Sequence, residues 1–144
     1  MTDPAARVQE SFARQRIMTW LGATLGTVDA GRVEIHLPFR EDLTQQHGFL
    51  HAGVVATIAD SACGYAAYSM MPADASVLSI EYKINLLAPA SGHAFVARAR
   101  VVRAGRTITV CEADVVAVTD GAEQAVATML ATIMTIRDRP GIRG

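Results

Sequence analysis

The chain has 144 residues, a formal net charge of −1 and 51% hydrophobic residues. That length suits one domain with a sizeable core, and the near-neutral charge excludes a strong pull toward nucleic acid or acidic membrane surfaces. Two widely separated cysteines in apolar surroundings, Cys63 and Cys111, predict buried thiols in a reducing, cytoplasmic setting and exclude a disulfide framework.

Residues 1–144 read as a single domain. The start shows no positively charged segment followed by an apolar run, so no signal peptide is expected. Pro4 to about Trp20 has helical character. Phe12, Ile17, Met18 and Leu21 make an apolar edge, Arg7, Glu10, Arg14 and Arg16 are solvated, and Gly22 ends the helix. Leu25–Val28, a turn at Asp29–Gly31 and Arg32–Leu37 predict a hairpin closed by Pro38. A polar loop from Phe39 to Leu50 leads into a long apolar segment, Ala52 to about Met70. Val77 to Leu86 then alternates strictly. Leu78, Ile80, Tyr82, Ile84 and Leu86 share one face; Ser79, Glu81, Lys83 and Asn85 share the other. Pro89–Gly92 is a turn. Strands over His93–Val102, Thr107–Val118 and Glu123–Ile136 follow, and the tail from Asp138 to Gly144 is expected to be loose. Arg98 and Arg100 share a face, as do Glu112 and Asp114. They read as a solvated or interface charge patch whose register the sequence leaves open. Consecutive short turns predict an antiparallel meander. The fold class is α+β: one twisted antiparallel sheet wrapped around a long central helix.

The long apolar segment is Ala-rich and too long for a strand, so it is a helix. At 100° per residue, Gly53, Thr57, Asp60 and Gly64 fall on one narrow stripe. Val55, Ile58, Ala62, Tyr65 and Ala66 fall on the far side. Such a helix is buried on most sides. Asp60 is its only charge, and a buried carboxylate needs a partner or water. The greasy stretch therefore does not read as membrane-spanning.

The loop before this helix is Gln45-x-x-Gly48-x-x-His51-Ala52-Gly53, and Asp60 stands nine positions after His51. With the element order, this resembles the hotdog-fold thioesterases of the PaaI-like acyl-CoA thioesterase group. That group carries Asn-x-x-Gly-x-x-His-Gly-Gly before the central helix and an acid nine positions after the His. Ser79 matches its Ser or Thr early in the next strand. Pro89-Ala90 and Arg103–Thr107 match its strand boundaries. The resemblance runs from about Leu25 to Ile136. Gln45 replaces the usual Asn, and Ala52 the first of the paired glycines, which marks a variant subgroup.

The resemblance implies an acyl-CoA thioesterase without cofactor. Asp60 would attack the thioester or activate water. The N–H groups of Ala52 and Gly53 open the helix, where unpaired donors and the helix dipole favour an oxyanion. In the family reading Ala52 N–H polarises the carbonyl. His51 would hold the sulfur or orient the loop, Gln45 would position water or carbonyl, and Ser79 would assist water or bond Asp60. Arg103, Arg106 and Lys83 are the candidates for coenzyme A phosphates. The acyl group, aliphatic or aryl, would lie among Phe49, Leu50, Val54 and Ile58. His36, His47 and His93 read as loop or surface residues, and their spacing predicts no metal site. Two other functions fit the fold: a hotdog hydratase or dehydratase, and a non-catalytic acyl-CoA or small-ligand binder.

Length adds a constraint. Nine residues of helix rise roughly 13 Å, whereas reacting groups must approach to about 3 Å. His51 and Asp60 of one chain therefore do not meet at one thioester unless the loop folds back. A two-fold dimer solves this, with Asp60 of one copy facing Gln45, His51 and Ala52 of the other. The resemblance implies the same homodimer with shared sites, and a dimer of dimers as a larger assembly.

Overall fold

The computed structural model of the protein describes residues 3–144. The expected N-terminal helix is two helices, α1 (Pro4–Arg14) and α2 (Arg16–Leu21). Gln15 separates them with extended backbone (φ −81°, ψ 100°). Gly22 ends α2 in the left-handed region (φ 75°), which only a residue without Cβ adopts freely. Met18 and Leu21 are buried as expected, but Ile17 is exposed and Val8 takes a core place instead.

Arg7 is not solvated. Its guanidinium donates to the carbonyl oxygens of Tyr68 (3.0 Å) and Met71 (3.1 Å) and lies 4.7 Å from the Tyr68 ring centroid. These carbonyls sit at the C-terminal end of the central helix, where the last acceptors lack intrahelical partners and the dipole favours a cation. Arg7→Met is expected to destabilise the fold by about 1–3 kcal/mol. Urea unfolding reads this; an unchanged midpoint would remove the capping role.

Six strands and the central helix follow: β1 (Thr24–Asp29), β2 (Arg32–Pro38), α3 (Ala52–Tyr68), β3 (Ser76–Leu86), β4 (Ala94–Ala104), β5 (Ile108–Thr119) and β6 (Ala122–Ile136). The sheet is antiparallel in the order β1-β2-β4-β5-β6-β3. The expected meander therefore holds only for β4, β5 and β6. β3 lies at the far edge against β6, and β2 takes the place beside β4. The segment 87–93 crosses the end of the sheet instead of closing a hairpin. Its backbone groups are engaged elsewhere: Leu87 N–H donates to Val126 (2.8 Å), while Ala90 and His93 accept from Leu50 (3.0 Å) and Phe39 (2.9 Å). This strap ties the end of β3 to the loop before α3.

α3 packs across one face of the sheet. Ile35, Leu37, Phe95, Val115 and Ile133 meet Val55, Ile58, Ala62 and Ala66, all essentially sealed. The opposite face carries the charge patch, and its register is now fixed. Arg98 stands opposite Asp114, and Arg100 opposite Glu112. Arg98 bridges Glu34 (2.8 Å) and Glu123 (2.6 Å), and its guanidinium holds both carboxyls below their ordinary range. Arg100 pairs with Glu112 and Asp114. All are at least partly exposed, so each pair contributes little stability.

The strict alternation expected in β3 is broken. Ser79 lies opposite Ile133 and Glu81 opposite Thr132, which leaves Ile80 as the extra residue of a β-bulge. Opposed residues share a face. Ser79 therefore stands on the helix side with Tyr82, Ile84 and Leu86. Leu78, opposite Met134, joins Glu81, Lys83 and Asn85 on the outer side.

Candidate active site

The loop into α3 is folded on itself. Gln45 N–H donates to Phe49 O (2.9 Å) and Gly48 N–H to Gln45 O (3.0 Å), with Gly48 in the left-handed region (φ 86°). The Gln45 side-chain oxygen accepts from His47 N–H (2.6 Å) and Phe49 N–H (3.3 Å). Two donors on the oxygen fix the orientation of the carboxamide and leave its NH₂ for other partners.

His51 caps the helix. Its Nδ1 accepts from Gly53 N–H at 2.8 Å. Nδ1 is therefore unprotonated in this bond, and the neutral ring carries its proton on Nε2. Gly53 is spent on the cap, which corrects the expectation that it serves as an oxyanion donor. Ala52 N–H makes no hydrogen bond among the described residues. Gln45 and Ala52 line one cleft of about 510 Å³ with Phe49, Leu50 and the strap residues Leu87 and Pro89. An unpaired amide at a helix N-terminus, beside a free carboxamide NH₂ and an apolar wall, suits a polarised carbonyl.

The stripe expected on α3 is present. Thr57, Asp60 and Gly64 are half-buried and Gly53 is exposed, whereas Val55, Ile58, Ala62, Tyr65 and Ala66 are buried. Asp60 is thus not sealed in the core. It opens into a second crevice, of about 340 Å³, and its Oδ1 accepts the Ser79 hydroxyl at 2.7 Å. The bulge at Ile80 accounts for that contact: plain alternation back from Tyr82 turns Ser79 to the outer face.

The two clefts of one chain share no lining residue. Asp60 and Ser79 belong to one; Gln45 and Ala52 belong to the other. Val54 is half-buried and lines neither. Ile58 is fully sealed, so it is core and not acyl-group lining. Lys83 sits on the outer face opposite Leu130, Arg103 near the end of β4 and Arg106 in the turn after it; none lines either cleft. His36, His47 and His93 are exposed. Sequence reasoning missed Gln15, Ser61 and Tyr65, which line the Asp60 crevice. A glutamine in a helical stretch carries no signal that it marks a break. Among the described residues no cluster of His, Cys, Asp and Glu is placed to hold a metal, and no helix is long and apolar enough to cross a membrane.

Cys63 and Cys111 are both sealed. Burial pushes the Cys63 thiol far up and Cys111 up to about 12, from an ordinary 9.0. Thiolate is the reactive form, so neither labels in the native state. A thiol reagent at mildly alkaline pH is expected to label both only after denaturation. The unfolded chain ionises these thiols near 9 while the folded one holds them neutral. Their contribution to stability is therefore complete below that pH and is lost as pH rises above it. Rapid native labelling would contradict this.

The thioesterase superfamily matches residues 47–123, from the loop before α3 to the start of β6. A putative esterase of Halobacterium salinarum is 33% identical over 126 residues, 84% of this chain and 83% of its own. A 1,4-dihydroxy-2-naphthoyl-CoA hydrolase of Listeria monocytogenes is 26% identical over 119 residues, 83% of this chain and 94% of its own. Among solved structures, a thioesterase family protein from Silicibacter pomeroyi superposes with a TM-score of 0.92 at 54% identity, covering 93% of this chain and 98% of that one. The E. coli PaaI protein of the phenylacetic acid degradation operon has the same fold, with a TM-score of 0.83 at 18% identity, covering 93% and 94%. The chain belongs to the thioesterase superfamily and is a thioester hydrolase with the PaaI-like hotdog fold.

Proposed function

We propose that the protein hydrolyses acyl-CoA thioesters in composite sites, each built by two copies of the chain. The carrying observation is that the free Ala52 amide and Gln45 carboxamide line one cleft while Asp60 opens into another. Two features support pairing. α3 leaves a stripe of small residues, Gly53, Thr57 and Gly64, uncovered around Asp60. β3 is an eleven-residue edge strand with Leu78, Ile80 and Tyr82 exposed, and open apolar edges of that length are normally covered.

In a two-fold pair, the thioester carbonyl accepts from Ala52 N–H and the Gln45 NH₂ of one protomer, and Asp60 of its partner approaches the carbonyl carbon. The helix dipole and the donors stabilise the developing oxyanion. Asp60, oriented by Ser79, attacks or takes a proton from the attacking water. The carbon–sulfur bond then breaks and the coenzyme leaves as its thiol; the acyl group leaves as the carboxylate, directly where water attacked, or after water opens the Asp60 acyl anhydride where Asp60 attacked. His51 Nε2–H is the proton donor offered to that sulfur. Arg103, Arg106 and Lys83 are the cations offered to the coenzyme phosphates, which requires an assembly that brings them to the cleft. The Listeria relative's name, a CoA hydrolase, supports the substrate class.

A panel of aliphatic and aryl acyl-CoAs with a thiol-detecting reagent tests this reading. Free thiol is expected from several members. An enoyl-CoA hydrated without thiol release, or tight binding with no turnover, would overturn it.

A further inference from the structure

The tail from Asp138 to Gly144 returns to α3 instead of standing loose. Ile142 and Gly144 are half-buried, and a Cβ added at Gly144 would strike the Tyr68 ring. This return carries Arg143 to the rim of the Asp60 crevice. Beside that crevice lies an open depression of about 220 Å³, which shares Ser11, Gln15, Tyr65 and Arg143 with it and also holds Arg14, the last residue of α1. The hydrolytic steps described above use none of these five side chains. Lys83, Arg103 and Arg106 line neither cleft, whereas these two arginines stand beside Asp60 within one chain.

The depression is rich in donors. Arg14 and Arg143 carry permanent charge. Gln15 accepts from Ser61 Oγ–H (2.9 Å) and spends one N–H on the Tyr65 hydroxyl (3.2 Å), which leaves its second N–H. The Ser11 and Tyr65 hydroxyls lie 3.3 Å apart; their contact uses one hydrogen and leaves the other free. Burial holds the Tyr65 hydroxyl above its ordinary pKa, so it stays a neutral donor. No Asp or Glu side chain lines this depression. Arg143 forms no ion pair among the described residues, and Asp60 is bonded to Ser79 instead. Arg14 meets Glu10 at 3.4 Å in an exposed pair, which contributes little and leaves other N–H groups open. Glu10 and Asp74 line the neighbouring depression with Arg7, whose guanidinium is already committed to carbonyls. Two charged forks and neutral donors, with no acid among them, suit a phosphate or a carboxylate.

Given the composite site proposed above, a thioester at Asp60 lies where the crevice opens into this depression. We propose that Arg14 and Arg143, with Ser11, Gln15 and Tyr65, form an anion subsite that holds a charged oxygen group of the bound thioester. Two parts of a substrate can supply that group: the coenzyme phosphates, or the free carboxylate of a diacid acyl group. The test uses four thioesters of one acyl length, the acyl and ω-carboxyacyl esters of coenzyme A and the same two of pantetheine, which lacks the phosphates. The double substitution Arg14→Gln with Arg143→Gln is expected to raise KM by about tenfold or more for the thioesters that carry the recognised anion, with kcat within about twofold. A penalty on the coenzyme A esters assigns the phosphates, and one on the ω-carboxy esters assigns the acyl end. Lysine at both positions should recover part of the affinity. Both side chains are exposed, so thermal melting should stay near wild type. Calorimetric affinities of Asp60→Asn for the four thioesters, with and without the arginine substitutions, read the same dependence without turnover. An unchanged KM and affinity for all four, an equal penalty that includes the uncharged acyl-pantetheine, or a fall in kcat with KM intact would overturn this assignment alone. Absence of turnover with any thioester would instead overturn the acyl-CoA hydrolase reading.

Discussion

Asp60→Asn is expected to fold and melt like the wild type while kcat falls by about 10²–10⁴-fold. Asp60 is half-buried, and its one side-chain partner among the described residues is the Ser79 hydroxyl at 2.7 Å. Asparagine keeps the shape and still offers that hydroxyl an acceptor, so the change in stability should stay within about 0.5 kcal/mol. What it loses is the basic, nucleophilic oxygen. In the proposed reaction the carboxylate acts on the carbonyl carbon and not on the coenzyme, so KM should move little. Stopped-assay kinetics with thermal melting separate the two roles. A structural Asp60 would give the reverse pattern, a lower melting temperature with kcat nearly intact.

Ala52→Pro is expected to lower kcat by about 10²–10³-fold with no loss of stability. Proline removes one atom from the account, the amide hydrogen at the first residue of α3. That position is where proline fits a helix best, since its N–H has no intrahelical partner. His51 precedes it with extended backbone (φ −61°, ψ 137°), which a following proline requires. The cap from His51 to Gly53 is one residue further on and need not change. Ala52→Gly keeps the amide and should remain active. If Ala52→Pro turns over like the wild type, the oxyanion donor lies elsewhere.

The sequence carried the parts of this site that depend on local periodicity. The helical wheel put Gly53, Thr57, Asp60 and Gly64 on one stripe, and all four are exposed or half-buried. Arg98 and Arg100 share a face in β4, and Glu112 and Asp114 one in β5, as alternation predicts. What it did not carry depends on partners distant in the chain. β3 pairs with β6, a strand distant in the chain, and alternation says nothing about which strand is the neighbour. The bulge at Ile80 inverts the phase for Ser79, yet Val77–Leu86 reads as an unbroken strand. Arg7 looks like a solvated helix residue until the carbonyls of Tyr68 and Met71 are beside it. His51 and Gly53 were legible as a helix entrance, but only geometry shows that one consumes the other's amide. The polarity of the Asp60 crevice was hidden because Gln15 and Ser61 are 46 residues apart.

The central claim is that each site draws its acid and its amide donor from different copies of the chain. Refolding Asp60→Asn and Ala52→Pro subunits together in equal amounts tests it. Each mixed dimer then holds one site with both functions and one with neither. Activity is expected to rise from the floor of either parent to about a quarter of wild type, because half the dimers are mixed and half their sites are whole. If mass spectrometry shows mixed dimers in that proportion and activity stays at the floor, acid and donor serve the same chain's site and the shared arrangement is wrong.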